Sequence, residues 1–520
     1  MNRDEMLGRL KARSSPWDMV IIGGGATGVG VAVDAASRGY DVALIEQNDF
    51  GKGTSSRSTK LVHGGVRYLE QGDVALVMEA LEERGLMRQN APHLVHDLAF
   101  VVPNYEWWEA TFYGVGLKLY NLLAGKYGFG PSQILSREET LERLPNIKTE
   151  GLRGGVVYFD GQFDDSRFLV HLAQTAAEQG ATLVNYLRAT ALGKGPDGFV
   201  ESVSVEDAET LDTFTLHAKV VINATGAFTD SVRRMGDQTI TPMVSPSQGV
   251  HIVINQSFLP TNAAILVPHT SDGRVMFALP WHGHTLVGTT DTAIAEASLE
   301  PVPLEEEIQF LLETSAQYLD HPPRREDVLS TWAGIRPLVK SSGAANTASL
   351  SRSHSIHIDN SGLLTITGGK WTTYRHMAED CVKHAIMLAK LEDRPCVTRL
   401  LNLHGFHQHA SKFGEFAFYG SDAPEVEALC AERPEWNQYL DPELPYKAGQ
   451  VIWAVRVEMA RTVEDVLSRR LRALTLNSRA AVRMAPKAAA LLRAELGQSA
   501  EWEQTQIHIF NLLADGYRVS

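Results

Sequence analysis

Cysteine is scarce: Cys381, Cys396 and Cys430 are the three in 520 residues, and none forms a CxxC pair. This argues against a disulfide framework or a zinc site and fits buried, reduced thiols in a cytoplasmic protein. Long apolar runs are missing too. No segment reaches the roughly 18 apolar residues that a spanning helix needs. Met1 to Arg13 is polar and charged, unlike a secretory leader. The expectation is a chain that crosses no membrane, with attachment to a membrane surface left open. Positive charge is outweighed: 48 Lys and Arg against 62 Asp and Glu give a net charge of -14. Such a chain repels nucleic acid, and an anionic substrate must be gripped by local cations that the overall balance hides. Internal repeats and low-complexity segments are also absent. Hydrophobic residues at 44% and charged residues at 21% describe an ordinary folded protein, long enough for two domains or more.

Asp18 to Ile22 is an apolar, branched burst that reads as a buried parallel strand. A glycine cluster follows, then a small-residue helix from Val29 to Arg38, ended by Gly39. Asp41 to Ile45 reads as a second strand, closing on Glu46. Gly23, Gly25 and Gly28 fit G-x-G-x-x-G, with Ala26 and Thr27 inside the motif and an acid, Glu46, 18 residues after Gly28. This context makes the match a dinucleotide-binding fingerprint. Gly23 makes the tight turn, Gly25 lets the backbone approach a pyrophosphate, and Gly28 permits close packing of helix on strand. The helix N-terminus offers unpaired N–H groups to phosphate, and Glu46 can accept from ribose hydroxyls.

The fingerprint alone does not choose between FAD and NAD. The segment from Gly53 to Lys60 is dense in hydroxyls and leads into Leu61-Val-His-Gly-Gly65. Asn223-Ala-Thr-Gly226 and Gly368-Gly369-Lys370 end two further strands. Three distant glycine turns converging on one ligand suit a cofactor as long as FAD.

Elsewhere, helical periodicity marks Val74 to Asn90, Phe168 to Gln179 and about Thr373 to Leu391. The aromatic-rich stretch Pro103 to Pro131 is expected to form a helix packing its rings inward, with membrane contact as the sharper alternative. Strands at His251–Ile254, Arg274–Leu279 and Thr285–Gly288 suggest an antiparallel sheet. After about Arg399 helices are expected at Glu425–Arg433, Gly449–Ala473 and Ser478–Leu496. The fold expected is therefore α/β: a dinucleotide domain, an antiparallel-sheet substrate domain interleaved with it through residue 398, and a helical domain over 399–520. The dinucleotide part would cover about 17–100, 150–240 and 345–395, and the substrate part about 101–149 and 241–344. Arg456, Arg461, Arg469, Arg470 and Arg472 are expected to form a solvated, salt-bridged face, with anionic lipid as the alternative partner.

The segments IIGGGATGVGVAVDAASRGYDVALIE, TSSRSTKLVHGGVRYLE, INATGAFTDSVR, TSDGRVMFALPW, VGTTDT, WAGIRPLV and ITGGKWTTYRHMAED, spread from Trp17 to Asp380, resemble the FAD-dependent, quinone-linked glycerol-3-phosphate dehydrogenases. The resemblance implies a glutathione-reductase-like FAD domain, a substrate domain on an antiparallel sheet, and an all-helical C-terminal domain. It also implies a homodimer attached peripherally to the inner face of a bacterial cell membrane, oxidising sn-glycerol 3-phosphate and reducing a quinone. FAD would lie along Gly23, Gly25, Ala26, Thr27, Gly28, Glu46 and Gln47, then Thr54, Ser55, Ser56, Ser58, Lys60, Leu61, His63, Gly64 and Gly65. It would also meet Ala224, Thr225, Gly226, Gly334, Gly369, Lys370, Trp371, Thr372 and Thr373.

The substrate phosphate needs cations. Arg336 is the first, since a guanidinium fork matches phosphate oxygens two at a time. Arg67 with Tyr68, and Lys370, are the others. For the base that takes the hydroxyl proton, His251 is the candidate and His63 the rival, because imidazole titrates near working pH. No metal is expected. An oxidase passing electrons to oxygen shares much of this pattern. An amine or amino-acid oxidase on the same fold, and a flavin-carrying sensor without turnover, are more distant readings that the cation set opposes.

Overall fold

The computed structural model describes residues 1–65, 74–268, 270, 275–340 and 353–519. A first sheet carries the dinucleotide unit. Strand Trp17–Ile22 is flanked by parallel partners Thr213–Asn223 and Val42–Ile45, in register as Met19 with Val42 and Val20 with Val221. Thr182–Val184 extends one edge and Leu364–Gly368 the other. All four residues of Val42–Ile45 are buried, as a strand covered on both faces must be. The crossover helix Ala26–Ser37 is almost wholly buried. Its small side chains explain this: a Cβ on Gly30 would stand 2.9 Å from the Tyr374 ring. Gly39, at φ +83°, turns the chain out of it.

Among the described residues the second sheet has ten strands and is antiparallel except where Ala263–Val267 runs parallel to Val95–Asn104. Its longest pair, Val244–Asn255 with Val328–Val339, shows strand alternation at work. Val250, Ile252 and Ile254 face a core shared with Ile308 and Leu311 of helix Glu305–Tyr318. Val253 and Trp332 face the other way, into a core shared with Val451, Leu467 and Met484 of the C-terminal region. This second sheet recruits strands Val95–Asn104 and Gly154–Phe163, most of whose residues the sequence reading assigned to the dinucleotide part. Hydrogen-bond partners far along the chain decide that membership.

Several expected elements change shape. The helix expected over Gly449–Ala473 stops at Arg456 and resumes as a π-helical turn, Asp465–Arg470. The buried Asp465 carboxylate accepts from the Arg461 and Thr462 amides, a local alternative to helical bonding. Helices Arg3–Ala12 and Ala500–Asp515 add to those expected, and a short ladder, Tyr439–Asp441 with Leu444–Lys447, lies among the C-terminal helices. The aromatic-rich segment forms helix Glu109–Ala124, but only part of it packs inward. Tyr113, Leu117 and Tyr120 are buried, while Trp107 is 78% and Phe112 52% exposed.

The C-terminal arginines correct the expectation of a solvated face. Arg469, Arg470 and Arg472 are buried and ion-paired with Asp49 and Asp164, because tertiary packing brings acids from the N-terminal half to them. Arg456 and Arg461 pair with Glu495 and Glu209. Among the described residues no helix is long and apolar enough to cross a membrane, and no cluster of side chains suits a metal ion. Cys381 and Cys430 are buried free thiols, and Cys396 is half-buried.

Candidate cofactor and substrate site

A cavity of about 400 Å³ opens at the carboxyl ends of the first sheet's strands, where open α/β sheets bind ligands. Its walls gather Gly23, Gly25, Ala26, Thr27, Glu46, Gln47, Thr54, Ser55, Ala224, Thr225, Gly226, Gly369, Lys370 and Trp371 from five separate stretches of chain. The glycine turn is built as the fingerprint requires. Gly23 takes φ +115°, and a Cβ on Gly28 would meet the Gly23 carbonyl at 1.9 Å. Gly24 and Asn48 donate their amides to the two Glu46 oxygens at 2.6 and 2.8 Å. Burial pushes the Glu46 carboxyl up, and these two amide bonds oppose it. The Ala26 amide donates to Ser55 Oγ at 2.9 Å, and the Trp371 indole N–H to Ser55 O at 2.9 Å. The hydroxyl-rich loop is thus fastened to both the glycine turn and the last strand–helix turn. This bare cradle, with a carboxylate on one wall, fits an adenine dinucleotide.

Other expected cofactor residues stand behind the wall. Ser58 Oγ and Lys60 Nζ both bond Asp165, at 2.7 and 2.8 Å, and Lys60 also donates to Ser56 O. Their side chains hold the loop's far side instead of lining the cavity, since buried Asp165 needs its charge met. Leu61 begins a short strand. The His63 amide donates to Thr372 Oγ1 at 3.3 Å, and Gly64 N to the Tyr120 hydroxyl at 2.8 Å, so Leu61 to Gly65 runs beside the Trp371–Thr373 turn. Gly334 packs its Cα face on the Arg57 backbone, where a Cβ would be 2.6 Å from Arg57 O. Arg67 and Tyr68 lie outside the described residues. Leu187, Ala189 and Met235 also line the cavity, as does Phe228 of the INATGAFTDSVR segment; the first three are apolar residues outside any motif, and the sequence gives no signal for them.

Arg336 and His251 share one face of the second sheet. Ser247 stands opposite Arg336 and His251 opposite Trp332. Gly249 lies between Ser247 and His251 and leaves room for the guanidinium: a Cβ there would be 2.4 Å from Arg336 Nη2. Arg336 donates to Gln248 O, Thr289 Oγ1, Thr290 O and Asp291 Oδ1 at 3.0–3.3 Å. The residue after it, Pro337, lines the cofactor cavity. His251 is buried, and its Nε2 is 2.9 Å from Thr59 Oγ1. Burial, with Lys60 and Arg336 nearby, holds the His251 imidazole well below its usual range.

The family described as FAD dependent oxidoreductase matches residues 18–375, and the C-terminal domain of alpha-glycerophosphate oxidase matches 365–505. The mitochondrial glycerol-3-phosphate dehydrogenase of Rattus norvegicus is 42% identical over 531 aligned residues, covering 95% of this chain and 72% of the relative.

The chain belongs to the FAD-dependent glycerol-3-phosphate dehydrogenase family.

A probable glycerol-3-phosphate dehydrogenase of Caenorhabditis elegans is 41% identical, over 95% of this chain and 73% of that one. The crystal structure of glycerol-3-phosphate dehydrogenase from Bacillus halodurans complexed with FAD superposes with a TM-score of 0.80, at 29% identity, over 100% of this chain and 98% of that one. The L-alpha-glycerophosphate oxidase of Mycoplasma pneumoniae shares the fold, with a TM-score of 0.58 at 16% identity over 74% of this chain and 98% of that one. For this family member the cofactor is FAD. The fold is a glutathione-reductase-like FAD domain with a sheet-based second part and a helical C-terminal part.

Proposed function

We propose that this chain oxidises sn-glycerol 3-phosphate to dihydroxyacetone phosphate and passes the electrons to a membrane quinone. The observation that carries the reading is the juxtaposition of Arg336 and His251 on one face of the second sheet, with Pro337 already in the cofactor wall. FAD, when bound, supplies a two-electron acceptor for the hydride leaving C2.

The chain's own residues do the rest. Arg336 holds the phosphate, its fork oriented in advance by two backbone carbonyls and Thr289. Lys370 adds a cation from the cavity wall, and Arg67 and Tyr68 complete the set. His251 takes the C2 hydroxyl proton. Its Nε2 shares a hydrogen bond with Thr59 Oγ1 at 2.9 Å, and its buried Nδ1 has no hydrogen-bond partner among the described residues. The depressed imidazole arrives neutral, as a base must. A phosphate dianion beside Arg336 offsets the neighbouring positive charge and restores basicity to the ring. His63 positions the cofactor edge.

A membrane surface as partner is supported by helix Glu109–Ala124. Trp108, Phe112, Val115, Leu119 and Leu122, spaced by four and three, are all exposed, with Trp107 beside them. Such a stripe, with Lys118 and Lys126 nearby, suits an interfacial helix. A homodimer and a division of the chain at residues 398/399 complete the proposal.

The test is anaerobic. Glycerol 3-phosphate is added to the yellow protein and the flavin absorbance followed; then a soluble quinone or oxygen is offered. Bleaching with fast recovery by quinone and slow recovery by oxygen supports the proposal. Fast recovery by oxygen with peroxide release would make it an oxidase, and no bleaching would overturn the substrate.

A further inference from the structure

The loop that lines the cofactor cavity is gripped from behind by the C-terminal region. Asp49 is fully buried. Its carboxylate accepts from Arg469 Nε at 2.5 Å and from both terminal nitrogens of Arg470 at 2.5 and 2.9 Å. Three residues on, Lys52 bonds Glu464, and also Glu300 at 2.5 Å. Arg469 reaches Glu464 and Asp465 at 2.7 and 2.8 Å, and Arg57 reaches Glu300 at 2.6 Å. The four cations Lys52, Arg57, Arg469 and Arg470 thus meet the four carboxylates Asp49, Glu300, Glu464 and Asp465, and Arg470 also lies 3.9 Å from Glu458, which pairs with Arg167.

Buried ion networks add little stability over apolar packing of the same volume, because desolvation offsets their attraction; one thing they can fix is geometry. The geometry fixed here is that of residues 49–53. Gly51, Lys52 and Gly53 line the cavity. The Gly51 amide donates to Gly24 O at 3.0 Å, inside the glycine turn, and the Lys52 amide to Asp49 O at 3.1 Å. One short stretch therefore touches the cofactor cradle on one side and the arginines on the other. The arginines sit on the π-helical turn, closed by Leu471 N donating to Val466 O at 2.8 Å.

We propose that residues 458–472 are a latch for FAD: Arg469 and Arg470 acting through Asp49, and Glu464 acting through Lys52, are positioning residues for the cofactor loop. Binding of FAD and packing of this segment are then linked, and each strengthens the other by the same factor. A clamp that only stabilised the fold would lower the melting temperature of flavin-free and flavin-bound protein alike. A latch lowers the increment that FAD adds.

The experiment uses the full chain, purified with FAD, stripped and titrated back by flavin fluorescence. Arg470→Met and Glu464→Gln are compared with Arg483→Met, whose pairs with Asp441 and Glu443 lie away from the loop. The expected result is a dissociation constant for FAD raised at least tenfold in the first two and unchanged in the third. In the unaltered chain, removing FAD should speed amide hydrogen exchange in 458–472 while 478–496 stays protected. A folded Arg470→Met protein that binds FAD within twofold of the unaltered chain would overturn the latch. So would identical exchange of 458–472 with and without FAD, a measurement that needs no variant to fold.

Discussion

The imidazole of His251 lies flat on the indole of Trp332, ring centroids 4.3 Å apart and planes 19° from parallel. The stack and the Thr59 bond fix the ring without charging it. Replacing His251 by Asn should keep FAD bound and slow flavin bleaching by about 10²–10⁴-fold, the usual worth of a general base. Unchanged bleaching would remove His251 from the role. Because the free imidazole is held well below its usual range, the proton is already off at pH 6.5. The acid limb of kcat/KM should therefore fall below pH 6.5, and a limb centred above pH 7 would contradict the assignment.

Arg336 should distinguish fork from charge. Arg336→Lys keeps one cation but loses the paired donors and the anchoring on Thr289 and Thr290. A loss of roughly 1.5–3 kcal/mol per charged hydrogen bond predicts a fall in kcat/KM of at least tenfold, most of it in KM. Equal kinetics for Lys and Arg would show that the phosphate is gripped elsewhere.

Two neighbouring glycines should behave differently. At Gly28 a Cβ would collide with backbone at 1.9 Å, whereas at Gly25 it would meet only Ser55 Oγ at 3.2 Å. Gly28→Ala should yield protein without flavin or no folded protein. Gly25→Ala should fold and bind FAD more weakly, by spectroscopic titration. Full flavin content in Gly28→Ala would refute the packing argument.

His404 joins helix Asp165–Glu178 to the C-terminal region through Glu178 at 2.5 Å and Asp422 at 2.7 Å. Burial pushes its imidazolium down, but the two carboxylates overcome this and lift it to about 9 from an ordinary 6.5. A raised value means that the charged form stabilises the fold fully below pH 6.5, and that this is lost as pH climbs from 6.5 to 9. The contribution is on the order of 2 kcal/mol after allowance for the exposed Glu178. Melting temperature measured across that window should drop more steeply for the unaltered chain than for His404→Gln. Parallel curves would rule the linkage out.

The stripe on helix Glu109–Ala124 makes a separable prediction. Phe112→Glu with Leu119→Glu should leave the flavin spectrum and bleaching rate intact and abolish co-sedimentation with anionic phospholipid vesicles, since carboxylates there oppose both burial and lipid charge. Undiminished binding would place the contact elsewhere.

The sequence by itself determined the glycine turn, the strand–helix–strand unit, Glu46 and the helix ends at Asn90 and Ser478. Each rests on local chemistry: glycine where φ is positive or space is missing, alternation in strands, periodicity in helices. It also put Arg336 and His251 forward as candidates. Only the tertiary structure decided that these two share a face, that strand Gly154–Phe163 joins the second sheet, and that Lys60 and Ser58 turn to Asp165. It alone turned Arg469 and Arg470 from an expected solvated face into the buried partners of Asp49, some 420 residues away. Charge pairing over such separations leaves no periodic trace in a single chain, because the partner's position is set by how the sheets and helices pack and not by either residue's neighbours.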